Sequence, residues 1–314
     1  MELSLFDLHC DTAFEMLRKH VPLSGNDLAL SLENTAKFKQ YIQVMAFWTS
    51  HRLNDENGWE RMLAMRENLL NDPSVRSGAA TCSTVCPPRG AGPTLLFGIE
   101  DARVFAGKID RVDEAYLLGV RVLTPLWAGE TCIGGSHDTE SGLTPFGREA
   151  VSRAAALGMI PDISHASVRS ADEIFTIAAG YGVPVIASHS NAGAVCPVSR
   201  NLSDAQIDAL VACGGLIGLN LYPRFLRADG RATLSDLLAH VEHFLERGAG
   251  KILCFGGDWD GADLPPGISG IGDMEAVAGL LLRHNYPERI IRDLFFENAY
   301  SFAARHLSAP GAQK

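Results

Sequence analysis

Five apolar runs in this chain stop at an imidazole or a carboxylate. LSLFDL runs into His9, with Asp11 two residues on; TLLFGI runs into Glu100, MIPDIS into His165, PVIAS into His189 and ILCFGG into Asp258. These side chains bind divalent cations, and a carboxylate beside a metal-activated water also suits proton transfer. His9 and Asp11, two apart on a strand, face the same side and can grip one cation, while Cys10 between them faces the other. Glu100 has two oxygens and can bridge two metals about 3.5–4 Å apart. His165 and His189, as neutral imidazoles, suit Zn2+. Asp258 fits a general base that takes a proton from water and hands it to a leaving group. Asp260, in the same FGGDWDG segment, reads as a loop or capping residue. Each residue alone also has a structural reading as a hydrogen-bonded histidine, a helix cap or a salt bridge. Their recurrence at five strand ends favours one shared site.

A barrel brings such strand ends to one mouth. Strand-like runs lie at 3–8, 41–47, 94–99, 121–126, 159–163, 184–187, 215–221 and 251–255. Most are rich in Val, Ile, Leu and Phe with little alternation, as strands buried on both faces should be. Helix-like segments fall between them. Segment 54–70 carries Trp59, Met62, Leu63, Arg66 and Leu70 as one stripe, and 146–157 ends at Gly158. Segment 203–213 opens on Ser203 with Gln206 three residues on, a capping-box pattern; 235–247 and 288–306 follow. Eight strands alternating with helices predict an α/β fold, a (β/α)8 TIM barrel with loop insertions. No linker, composition shift or repeat divides the chain, so 1–314 reads as a single metal-dependent barrel domain. The alternative, a doubly wound open sheet, is weakened because no G-x-G-x-x-G follows the first strand.

With 46% hydrophobic and 20% charged residues, the composition is that of a globular protein. A net charge of -10 without a basic run argues against nucleic acid and anionic membrane as partners. MELSLFDLHCDT runs straight into a strand with no leader pattern, no apolar stretch is long enough to span a bilayer, and the tail LSAPGAQK is short and polar. A cytoplasmic protein is the expectation. The 7 cysteines are odd in number and scattered, which argues for reduced, mostly buried thiols and against a disulfide framework.

The segments DLHCDT, GIED, GLTPFGREAV, GMIPDISHAS, ASHSNAGAVCPVSRNLSDAQI, GLNLYPRFL and FGGDWDG occur in this order. Together they closely resemble the membrane dipeptidase family (renal dipeptidase, peptidase family M19) of the amidohydrolase superfamily, over about 7–298. The resemblance implies a binuclear zinc barrel that hydrolyses dipeptides. His9 and Asp11 would bind one Zn2+, His165 and His189 the other, and Glu100 would bridge them. Asp258 would be the general acid/base. Arg200 would hold the substrate's terminal carboxylate through a bidentate grip. Tyr222 and Asn220 match substrate-contacting positions. Where mammalian members carry a carbonyl-polarising histidine, this chain has Trp127, whose indole donates one hydrogen bond and cannot become cationic. That burden would pass to the metal or to His137, which otherwise reads as an exposed loop histidine. A homodimer is implied by the family alone.

The expected reaction is attack of a metal-activated hydroxide on the peptide bond of a dipeptide, including one with a C-terminal D-residue. The alternative is a related amidohydrolase acting on a lactam, a lactone or an N-acyl amino acid, since fold and metals do not set the substrate. A non-catalytic scaffold would have lost ligands or base, and all six candidates are present.

Overall fold

The computed structural model describes residues 2–308. Residues 309–314, most of the polar tail, lie outside the described residues. Eight parallel strands form the barrel: β1 (Leu5–Cys10), β2 (Tyr41–Trp48), β3 (Thr94–Glu100), β4 (Val120–Thr124), β5 (Ile160–Pro161), β6 (Ile186–Ala187), β7 (Leu216–Leu219) and β8 (Leu253–Phe255). β1 pairs with both β2 and β8. The remaining seam, between β5 and β6, is a single parallel bridge of Asp162 to Ile186, with the Ile163 N–H donating to the Ile186 carbonyl at 2.8 Å. The expected (β/α)8 barrel is therefore present, nearly closed. A two-residue strand, Thr81–Cys82, adds to the side of β3.

β1 and β3 are buried at every position, which is why their sequences are continuous apolar runs. Apolar side chains from strands and helices join in one contiguous cluster. The helix Asp55–Leu70 is capped by Asn54 and buries Gly58, Trp59, Met62, Met65 and Leu69. Its inward face takes Met65 and Leu69, while Arg66 is half-buried with its Nε donating to the Leu118 carbonyl and Leu70 packs partly buried against the core. The Ser203–Gln206 capping box is made in both directions, a contribution of about 1 kcal/mol. Four barrel-side helices escape the apolar pattern: Thr12–Lys19, Asp110–Leu117, Val168–Gly180 and Met274–Arg283. The single helix expected at 288–306 is interrupted by a π-helical turn, Asp293–Glu297. Leu294, Phe295 and Phe296 are all buried there, and an α-helical stripe cannot turn three consecutive side chains inward.

All seven cysteines are free, but only Cys10, Cys196 and Cys254 are fully buried. Among the described residues, no helix is long and apolar enough to cross a membrane.

Candidate active site

The strand ends do converge. His9 lies within β1 and Glu100 is the last residue of β3, while Asp11, His165, His189 and Asp258 sit in the turns beyond β1, β5, β6 and β8. The His9 Nε2 is 3.6 Å from Asp11 Oδ2, 3.5 Å from Glu100 Oε2 and 3.9 Å from Asp258 Oδ1. The other Glu100 oxygen, Oε1, lies 2.9 Å from His165 Nε2 and 3.3 Å from His189 Nε2. Glu100 thus turns one oxygen to each of two groups. Three overlapping triads have candidate ligand atoms within 4.8 Å of one another: His9–Asp11–Glu100, Glu100–His165–His189 and His9–His189–Asp258.

The donor chemistry fits cations. The His165 Nδ1 lies 2.8 Å from the Trp127 carbonyl, which can only accept, so that nitrogen carries the proton. The His189 Nδ1 lies 2.7 Å from Ser188 Oγ, whose own hydrogen is donated to Asp162. Both Nε2 atoms therefore present lone pairs, yet they face each other at 3.0 Å. Two lone pairs held together need a shared electrophile. Burial, then nearby positive charge, lowers the pKa of both imidazoles and keeps them neutral, the form that ligates. Around His9 the opposite holds. Burial disfavours its charge, but Glu100 and Asp11 outweigh burial and raise its pKa well above the usual value. Burial and the Glu100 charge push Asp11 up to about 7. His9 Nε2 and Asp11 Oδ1 are buried without a hydrogen-bond partner among the described residues. A pocket of this kind calls for positive charge between its carboxylates.

Backbone strain sits at the same place. His165 and Asp258 adopt left-handed conformations, φ 69° and 60°, which L-residues rarely take. Close approach does too: a Cβ on Gly261 would lie 2.0 Å from Asp11 Oδ2 and 2.6 Å from Asp258 Oδ1.

Above the cluster opens a cavity of 810 Å³, walled by Phe14, Trp48, Trp127, His137, Arg200, Tyr222 and Phe225. Arg200 is 4% exposed; its Nη1 donates to Ser190 Oγ at 2.9 Å and its Cζ sits 5.5 Å from the Phe225 ring centre. Its Nε and Nη2 have no partner among the described residues. Burial lowers its pKa to about 10, so it stays cationic near neutrality. His137 is half-buried rather than exposed, because its loop folds back: the His137 N–H donates to the His165 carbonyl, and its ring bonds Ser199 Oγ at 2.9 Å. Trp127 packs between Trp48 and His51. Tyr222 is set edge-on against Phe225. Asn220, read as a substrate contact, does not line the cavity; it is buried, with one amide hydrogen on Asp258. Asp260 binds Thr12 Oγ1 and the Ala29 amide, a loop-fastening role.

Two buried carboxylates beneath the site were missed. Asp7 accepts from the His9 and Gly257 amides, Gln43 and the Trp259 indole, tying β1 to the turn bearing Asp258. Asp162 accepts from the Ser164 and Ser188 amides and from Thr124 and Ser188 hydroxyls. Through Ser188 it fixes the His189 tautomer, and it sits on the β5–β6 seam. Asp162→Asn should lower metal affinity about 10–100-fold, as losses of outer partners do, checked by chelator competition. Unchanged affinity would remove that assignment.

A barrel whose strand ends gather three histidines and three carboxylates beneath an open cavity defines a metal-dependent hydrolase. The sequence profile of the membrane dipeptidase family (peptidase family M19) matches residues 1–302. A Klebsiella pneumoniae protein from the pqqA 5' region, itself uncharacterized, is 31% identical over 217 residues, 65% of this chain and 79% of its own length. An uncharacterized dipeptidase of Schizosaccharomyces pombe is 29% identical over 60% of this chain; there the match spans 46% of the relative. Among solved structures, the family M19 metallopeptidase dipeptidase AC superposes with a TM-score of 0.90 at 26% identity, covering 98% of this chain and 100% of that one. A Rhodobacter sphaeroides metallopeptidase, liganded with a phosphinate mimic of L-Ala-D-Ala, does so with a TM-score of 0.89 at 25% identity and the same coverage. The chain belongs to the membrane dipeptidase family, peptidase family M19. It is accordingly a metal-dependent hydrolase acting on dipeptides.

Proposed function

We propose that this enzyme uses two Zn2+ ions to cleave dipeptides with a free C-terminal carboxylate, D-residues at that end included. His9 and Asp11 would hold one ion, His165 and His189 the other, with Glu100 between them; three histidines and two carboxylates suit zinc. When bound, the ions supply Lewis acidity toward the carbonyl and acidify the nucleophilic water. Asp258 takes the proton of that water and delivers it to the departing amine. Trp127 and Tyr222 wall the cavity and orient the substrate. The whole chain serves as one catalytic barrel. Accommodation of a C-terminal D-residue is supported by the ligand of the Rhodobacter sphaeroides relative.

The observation that carries the substrate reading is the Nε/Nη2 edge of Arg200, buried beside the cluster with both donors unpartnered. Two parallel N–H groups on a cation match a carboxylate. Arg200→Met, or a dipeptide amidated at its C-terminus, should each lower kcat/KM by about 10²-fold or more. An amidated dipeptide cleaved as fast as the free acid would overturn this reading. Arg200 demands a carboxylate but not a free amine, so N-acetyl amino acids belong in the same assay. Their cleavage in preference to L,L- and L,D-dipeptides would move the substrate to the N-acyl class.

A further inference from the structure

Asn220 is fully buried beyond the end of β7, and each polar atom of its side chain is committed. One Nδ2 hydrogen goes to Asp258 Oδ2 at 3.0 Å and the other to the His189 carbonyl at 3.3 Å. Its Oδ1 accepts from the Tyr222 amide at 2.6 Å. Its own backbone is clamped by Asn191, which accepts the Asn220 N–H at 3.0 Å and donates to the Asn220 carbonyl at 2.9 Å.

Asp258 needs such a holder. Its backbone is left-handed at φ 60°, and the turn that carries it contains Gly256, Gly257 and Gly261. The Asp258 oxygens divide their duties: Oδ2 takes the Asn220 hydrogen, and Oδ1 faces His9 Nε2 at 3.9 Å. With Oδ2 fixed, the carboxylate plane is fixed, and Oδ1 is the oxygen left for a proton in transit.

We infer that Asn220 is a positioning residue for proton transfer: it aims Oδ1 of Asp258 into the site and locks that aim to His189 on one side and Tyr222 on the other. This rests on the reading of Asp258 as the general base. Asn220 is fully buried and does not line the cavity, so its loss should appear chiefly in kcat rather than in KM. A misplacement of about 1 Å costs on the order of 10²-fold, so a kcat loss of about 10–100-fold is expected.

The test is a double-mutant cycle on the metal-loaded enzyme, using Asn220→Ala, Asp258→Asn and the pair, with kcat, KM and bound metal measured for each. Asn220→Asp is the second variant, near-isosteric: it keeps the acceptor for the Tyr222 amide but sets a carboxylate oxygen against Asp258 Oδ2 where the donor stood, and it serves if the alanine variant does not fold. The inference expects kcat to fall in either Asn220 variant with metal content and KM held, and the pair to be no slower than Asp258→Asn alone. If Asp258→Asn is impaired and the Asn220 loss multiplies fully onto it, Asn220 acts elsewhere and the inference is wrong. An Asn220 variant with wild-type kcat overturns it equally. If Asp258→Asn itself keeps full turnover, the base assignment fails first.

Discussion

Asp258→Asn is expected to retain its bound metal and to lose kcat by about 10²–10⁴-fold, the usual worth of a positioned general acid–base group. Asparagine keeps the size of the side chain and can still meet a neighbour at the Oδ2 position, but it cannot take the proton of the attacking water or return it to an amine. The change lies 3.9 Å from His9 and leaves the shorter contacts of Glu100 with His9, His165 and His189 in place. Elemental analysis beside steady-state kinetics separates the two effects. Turnover within a few fold of wild type would remove Asp258 from proton transfer; loss of metal along with activity would make it a ligand instead.

Glu100→Gln is expected to do greater harm by another route. Burial raises the Glu100 pKa, but His9 and then His165 outweigh it and hold the carboxyl well below its ordinary range. It is thus the fixed negative charge to which both groups of ligands turn. The neutral amide loses that charge, and its NH2 end points a donor at one of the groups. Metal affinity should fall well beyond the 10–100-fold expected of an outer partner such as Asp162, and turnover should fall to the level of chelated wild-type enzyme. Titration of zinc against a competing chelator reads the first and initial rates read the second. A variant that still binds two ions tightly would show that Glu100 does not bridge.

Much of this site was legible in the sequence because its ligands are encoded locally. His9, Glu100, His165, His189 and Asp258 stand where apolar runs stop, and a parallel barrel sends all such stops to one mouth. The capping box at Ser203 was legible for the same reason, being complete within four residues. What escaped depends on partners far along the chain. Asp7 reads as one polar residue in an apolar run, and its role appears only when Gly257 and Trp259 arrive beside it. Asp162 looks like the end of a strand until Thr124 and Ser188 close around it. Asn220 matches a substrate-contacting position by the family resemblance alone, yet its side chain turns inward to Asp258. The break in the last helix follows from packing of Phe295 on Phe255, which the helical period alone does not contain.

The most direct test of the account is metal content by elemental analysis on protein purified without chelator, with L,L- and L,D-dipeptide hydrolysis measured before and after chelation. About two divalent ions per chain, with cleavage abolished by chelator and restored by zinc, is the expected result. Protein that holds no metal, takes up none when zinc is added, and cleaves dipeptides at an undiminished rate in chelator would contradict it.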